Sequence, residues 1–186
     1  MSGCRSRRST DTLPAMRIRR AFAVLLLLAA ACGGDADAGP APGDYFQQLQ
    51  RVSETAHIQE RGLGRDLQSR LREAPAGEER MTVVTVYVDQ SARLYEDVVA
   101  ALRQLVPPQA LAGPQRAYLE AWRSQLHLMR QVRDAGFPGP GPTLKALGGP
   151  AFHDAAGETE ARCEDLQAAV VANGSDVDLV CDGRPA

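Results

Sequence analysis

Two groups of residues in this 186-residue chain have types and spacing that could do chemistry. Glu54-x-x-His57 places a carboxylate and an imidazole one helical turn apart, the spacing of a carboxylate-bridged metal motif, and Glu120 with His127 could face it from a second helix. A di-metal site of that kind needs two such motifs and two further Glu, all directed inward. Only one motif is present, and His57 falls beside the apolar stripe of its segment rather than on it. Glu54, His57 and His127 therefore read first as a solvated charged face, with an envelope metal-binding protein or enzyme as the alternative. Asp176, Asp178 and Asp182, followed by Gly183, resemble the start of a calcium loop but lack the fifth-position ligand and the distal Glu. Gly141-Pro-Thr-Leu-Lys145 lacks the Gly-Lys-Ser/Thr that cradles phosphates. No Gly-x-Ser-x-Gly occurs, and His153-Asp154 has no partnered Ser. These residues point to a non-enzymatic chain without a cofactor.

The cysteines carry more. Arg17, Arg19 and Arg20 precede an apolar run from Ala21, and Ala29-Ala30-Ala31 lead directly into Cys32. Basic, apolar, then small residues is the order of an export signal: the basic end stays cytoplasmic while the apolar core enters the translocon. The Cys after three small residues resembles the lipobox of bacterial lipoproteins, with Ala29 where Leu is usual and Leu28 one step earlier. That resemblance implies diacylation of the Cys32 sulfur, palmitate being one such acyl group, and cleavage ahead of it. An ordinary signal peptide cut near Ala31 and an uncleaved anchor are the alternatives. Residues 1–31 are thus read as a lipoprotein signal peptide, within which Met16 offers a second start and would leave 1–15 upstream. The apolar run is too short for a spanning helix, which needs roughly 20 residues. Residues 32–43, rich in Gly, Pro and small acids, read as a lipidated tether, because such residues cannot bury surface.

Charge separates the leader from the body. Six Arg and one acid fall in residues 1–31, leaving 15 basic and 22 acidic residues in 32–186, a net of −7. An acidic body with 5% aromatic residues has neither the cations for nucleic acid nor the rings for base stacking. Twenty Arg against the single Lys145 are the mark of a GC-rich coding sequence.

The elements that position these residues are legible by period. Asp44 can cap a helix running to about Glu73, with Tyr45, Leu49, Val52, Ala56, Leu63, Leu67 and Leu71 on one stripe. Gly62 and Gly64 should weaken or bend it. A second helix is predicted over 78–106 on Met81, Val84, Val88, Tyr95, Val99, Leu102 and Val106, although the β-branched run 82–88 would also pass for a strand. Pro107-Pro108 breaks the chain. A third helix over 114–135 carries Tyr118, Trp122, Leu126, Met129 and Val132. The Pro/Gly run 137–142 reads as a non-helical loop, and a last helix over 157–172 carries Ala161, Leu166, Ala169 and Val170. The expectation is all-α: an antiparallel bundle of about four helices occupying 44–186.

With Cys4 in the leader and Cys32 at the lipid site, Cys163 and Cys181 remain. An even remainder on an exported chain predicts a disulfide that clips the C-terminal tail to the last helix, with free thiols or a two-Cys metal site as alternatives. The ending Cys163-x2-Leu166, Ala172-Asn173-Gly174-x-Asp176-Val-Asp178-Leu179-x-Cys181, with Pro107-Pro108-x-x-Leu111 before it, resembles small helical lipoproteins of high-GC bacteria. The resemblance implies a membrane-attached helical domain at the extracytoplasmic face and carries no catalytic residues across. The expected role is a cell-envelope binding or interaction module. Its partners would be the membrane, through the anchor, and another envelope protein, not nucleic acid.

Overall fold

The computed structural model describes residues 42–136 and 139–181, and all regular secondary structure among them is helical. Helices α1 (Pro42–Glu73), α2 (Glu78–Gln104), α3 (Ala112–Asp134) and α5 (Pro150–Ala172) form an antiparallel bundle, with a short α4 (Pro140–Leu147) between the last two. α2 packs on α1 and α3, α3 packs on α5, and α4 lies against α2 and α3. The leader and residues 32–41 of the expected tether lie outside the described residues.

Helices α1, α2 and α3 bury most of the stripe that their period marks. Tyr45, Leu49 and Ala56 are buried on α1, while Val52, Leu63, Leu67 and Leu71 pack half-buried against the same core. The helix runs uninterrupted through Gly62 and Gly64. Residues 82–88 are helical: Val84 and Val88 are buried while Thr85 and Val86 face outward, a four-residue repeat that a strand would not produce. On α3 the whole predicted stripe is buried, with Trp122 at its centre. The indole meets the rings of Tyr95 and Tyr118 edge-on, at centroid distances of 5.4 and 6.2 Å.

Helix ends depart from expectation, mostly at prolines. α1, α4 and α5 each begin with Pro, a position where the missing N–H has no intrahelical acceptor and the fixed φ already suits the helix. Thus α1 takes in the last two residues expected in the tether. The segment 140–142, read as loop, opens α4, and α5 starts seven residues before the expected Gly157. In α5 the inward face is carried by Thr159, Cys163, Leu166 and Val170, whereas Ala161 is exposed. α2 stops at Gln104 rather than Val106. Pro107 disfavours the helical region at Val106, which is 65% exposed, and α2 has already ended at Leu105, which is extended (φ −72°, ψ 129°).

That break strands carbonyls at the end of α2, and Gln115 on α3 satisfies them. Its buried Nε2 donates to the carbonyls of Leu102 and Leu105 (3.0 and 3.2 Å), and its Oε1 accepts the Tyr45 hydroxyl of α1 at 2.6 Å. One amide thereby ties three helices. Tyr95 of α2 likewise donates to Glu60 of α1 at 2.8 Å, and Gln125 of α3 to Thr159 of α5 at 2.6 Å.

Two outcomes are expected. Gln115→Leu leaves two buried carbonyls and one phenol without partners and should lower stability by about 3 kcal/mol in chemical denaturation. Burial raises the pKa of Tyr45, Tyr95 and Tyr118 above the ordinary phenol value. The fold therefore retains protons that the unfolded chain releases. Its stability should be undiminished below about pH 10 and fall as pH rises past that value, with phenolate absorbance developing alongside unfolding.

Candidate functional site

The C-terminal segment 175–181 completes the bundle without being a helix. α5 ends in a Schellman turn, in which Gly174 takes φ +79° while Gly174 N–H donates to Val171 and Ser175 N–H to Val170. The chain beyond is extended. Val177 and Leu179 turn inward, and Asp176 and Asp178 stay exposed. Gln167 of α5 acts as a side-chain peptide group for this segment: its Nε2 donates to the Val177 carbonyl at 2.9 Å and its Oε1 accepts the Leu179 N–H at 2.7 Å. Ser53 of α1 donates to the Leu179 carbonyl at 2.9 Å, so the segment bridges α5 and α1.

Cys163 and Cys181 form a disulfide, with Cα atoms 5.4 Å apart. The Cys163 sulfur, which has no proton in that bond, lies 3.4 Å from the Leu179 carbonyl oxygen as a packing contact. Val180 sits at φ 27°, a backbone state that a β-branched residue rarely adopts, between Leu179 and the disulfide that hold it there. The two exposed aspartates lie on the solvent side of this clip; Asp182 and Gly183 of the calcium-like pattern lie outside the described residues.

The metal candidates are not assembled. Among the described residues no group of three or more His, Cys, Asp or Glu could hold a metal ion. Glu54 accepts a long bond from Gln50 on its own helix, and His57 is half-buried on α1. His127 is exposed on α3, paired with Gln131 at 3.0 Å, and Glu120 pairs with Arg123. Neither Glu54 nor His57 belongs to the groove where His127 lies. His153, Asp154 and Lys145 are exposed. Cys32 lies outside the described residues.

What folding does assemble is that groove, an open cleft of about 400 Å³ between α2 and α3. Glu96 and Arg103 of α2 face Arg123, His127 and Arg130 of α3 across an apolar floor that includes Val99 and Leu126. Arg130 pairs with Glu96 across the groove at 2.7 Å, both side chains being substantially exposed, so the pair contributes little to stability. Arg103 has no carboxylate partner among the described residues, and the Arg123 Nε is buried without an acceptor. On each helix the charged positions lie two turns apart, at 96 and 103 and at 123 and 130. Sequence reading passed over these arginines because each stripe alone is an ordinary solvated face; only the pairing of the two helices makes them a cluster.

No family model, no curated protein and no solved structure matches the chain.

Replacing both Cys163 and Cys181 by Ser should lower unfolding free energy by about 3 kcal/mol, the chain-entropy value for a loop of this separation. Denaturant titration of the oxidised, reduced and double-Ser proteins measures it, and reduction should reproduce the double variant.

Proposed function

We propose that the protein is a membrane-anchored bacterial lipoprotein whose helical domain is a non-enzymatic binding or interaction module at the extracytoplasmic face of the cell envelope. The observation that carries this reading is the disulfide between Cys163 and Cys181, closed on the bundle core. Structural disulfides persist in oxidising compartments, so the bond belongs with an exported chain. The leader supplies the export signal, and Cys32, placed after Ala29-Ala30-Ala31, supplies the attachment point. Stable attachment needs more than one acyl chain, and diacylation at a single sulfur provides two.

Binding rather than catalysis follows from the type of group that folding gathers. Three of the side chains lining the α2–α3 groove are guanidinium groups, which hold and orient oxyanions but stay protonated at all relevant pH and so do not exchange protons with a substrate; of the lining groups that could, Glu96 is paired with Arg130 and His127 with Gln131. The buried Tyr45, Tyr95 and Tyr118 have their pKa values raised by desolvation, which makes them structural donors rather than bases.

Cells expressing the full chain and fed radiolabelled palmitate should incorporate label into it, and Cys32→Ala should abolish incorporation and release the protein from membranes. Continued labelling of the Cys32→Ala protein would overturn the anchor.

A further inference from the structure

The α2–α3 groove concentrates positive charge on a domain that is otherwise acidic: residues 32–186 carry a net −7, yet Arg103, Arg123 and Arg130 line the groove against the single carboxylate of Glu96. With His127 neutral, that lining has a net charge of +2. Glu120 adds a carboxylate outside the lining, paired with Arg123. Two features suit an external oxygen. Arg103 has no carboxylate partner among the described residues, and Arg123, held at Nη1 by Glu120, keeps about a third of its side chain exposed at the groove. Beneath the cations lie Ala100, which is exposed, and Val99 and Leu126, which are more than nine-tenths buried in the core.

We propose that this groove binds an organic phosphate, its phosphoryl oxygens held by the arginines of both helices and its organic portion lying over Ala100. This names a ligand chemistry for the binding module; it rests on that reading and is independent of the anchor at Cys32. Three phosphoryl oxygens can accept from guanidinium forks on opposite walls, whereas the two oxygens of a carboxylate are satisfied by one fork. A phosphate monoester near neutral pH carries about −1.5 to −2, opposite in sign to the +1 that remains when Glu120, paired with Arg123, is counted with the lining. The cleft volume of about 400 Å³ falls within the ~300–1,000 Å³ range of small-molecule sites. The acidic remainder of the domain repels such an anion, so the groove is where it is favoured. A soluble phosphate ester and a phospholipid headgroup share this chemistry.

The test uses the full-length protein in uncharged detergent micelles, titrated with phenyl phosphate and, separately, with phosphatidic acid mixed into the micelles. Backbone amide NMR shifts are followed throughout. Saturable shifts are expected at residues 96–103 and 123–130. Arg103→Ala with Arg123→Ala should weaken the response by roughly tenfold or more. Arg93→Ala, at an exposed position of α2 outside the groove, should leave it unchanged. Response to phenyl phosphate supports the site and assigns a soluble ester. Response to phosphatidic acid alone, lost in the double variant, supports the site and assigns a headgroup. Should the double variant unfold, Arg103→Gln, at an exposed and unpaired position, tests the same dependence. The proposal is overturned if neither probe shifts the groove amides, or if the shifts survive the arginine replacements. Such a failure with palmitate labelling of Cys32 intact would remove the site and leave the anchor standing.

Discussion

The arrangement of this bundle depends on one buried amide. Pro107 and Pro108 end α2 abruptly and leave the carbonyls of Leu102 and Leu105 turned into the interior, where an unpaired acceptor is costly. Gln115 donates to both and accepts the Tyr45 hydroxyl in return. The same group that repairs the end of α2 thus sets the level at which α3 returns along it and fixes α1 beside them. Further along, Glu96 pairs with Arg130 across the groove, and the walls of the groove face one another. The ring contacts of Trp122 with Tyr95 and Tyr118 add to the burial of the core, but apolar contacts are less directional than the three bonds of Gln115.

The other side of the molecule is closed by a different device. An extended segment bridges α1 and α5, stitched by Gln167 and Ser53 through bonds to backbone groups that an extended chain leaves unpaired. The disulfide restrains the end of that segment, and Val180 is held in an unfavourable backbone state beside it. A domain of this size has a modest core, and a covalent clip on its last segment suits a protein proposed to work outside the cytoplasm, where such a bond persists.

The groove and the clip lie in different parts of the bundle, the first between α2 and α3 and the second between α5 and α1. The proposed binding role therefore makes no demand on the tail, and the tail's bonds none on the groove. The groove is instead coupled to the polar knot at Gln115, because both depend on how α3 returns against α2.

Much of the fold was legible in the residues taken in order. The stripes on α1, α2 and α3, the breaks at Pro107-Pro108 and Asn173-Gly174, and the pairing of Cys163 with Cys181 follow from local periodicity, backbone sterics and the parity of thiols. The whole of α4 and the early start of α5 lie where Pro and Gly read as breakers, although Pro is at home in a first helical turn. The inward face of α5 was misjudged because Thr159 and Cys163, rather than Ala161, form it, and their value depends on Gln125 and Cys181 brought from elsewhere. The sequence by itself determined the three helices α1 to α3, the acidic body, the export-like leader and the isolated candidates Glu54, His57 and His127. Tertiary structure alone decided that those three do not converge while Arg103, Arg123 and Arg130 do. The physical reason is that a helix dictates which of its own residues share a face, but which face meets which is settled by the joint between helices, here by two prolines and the glutamine that answers them.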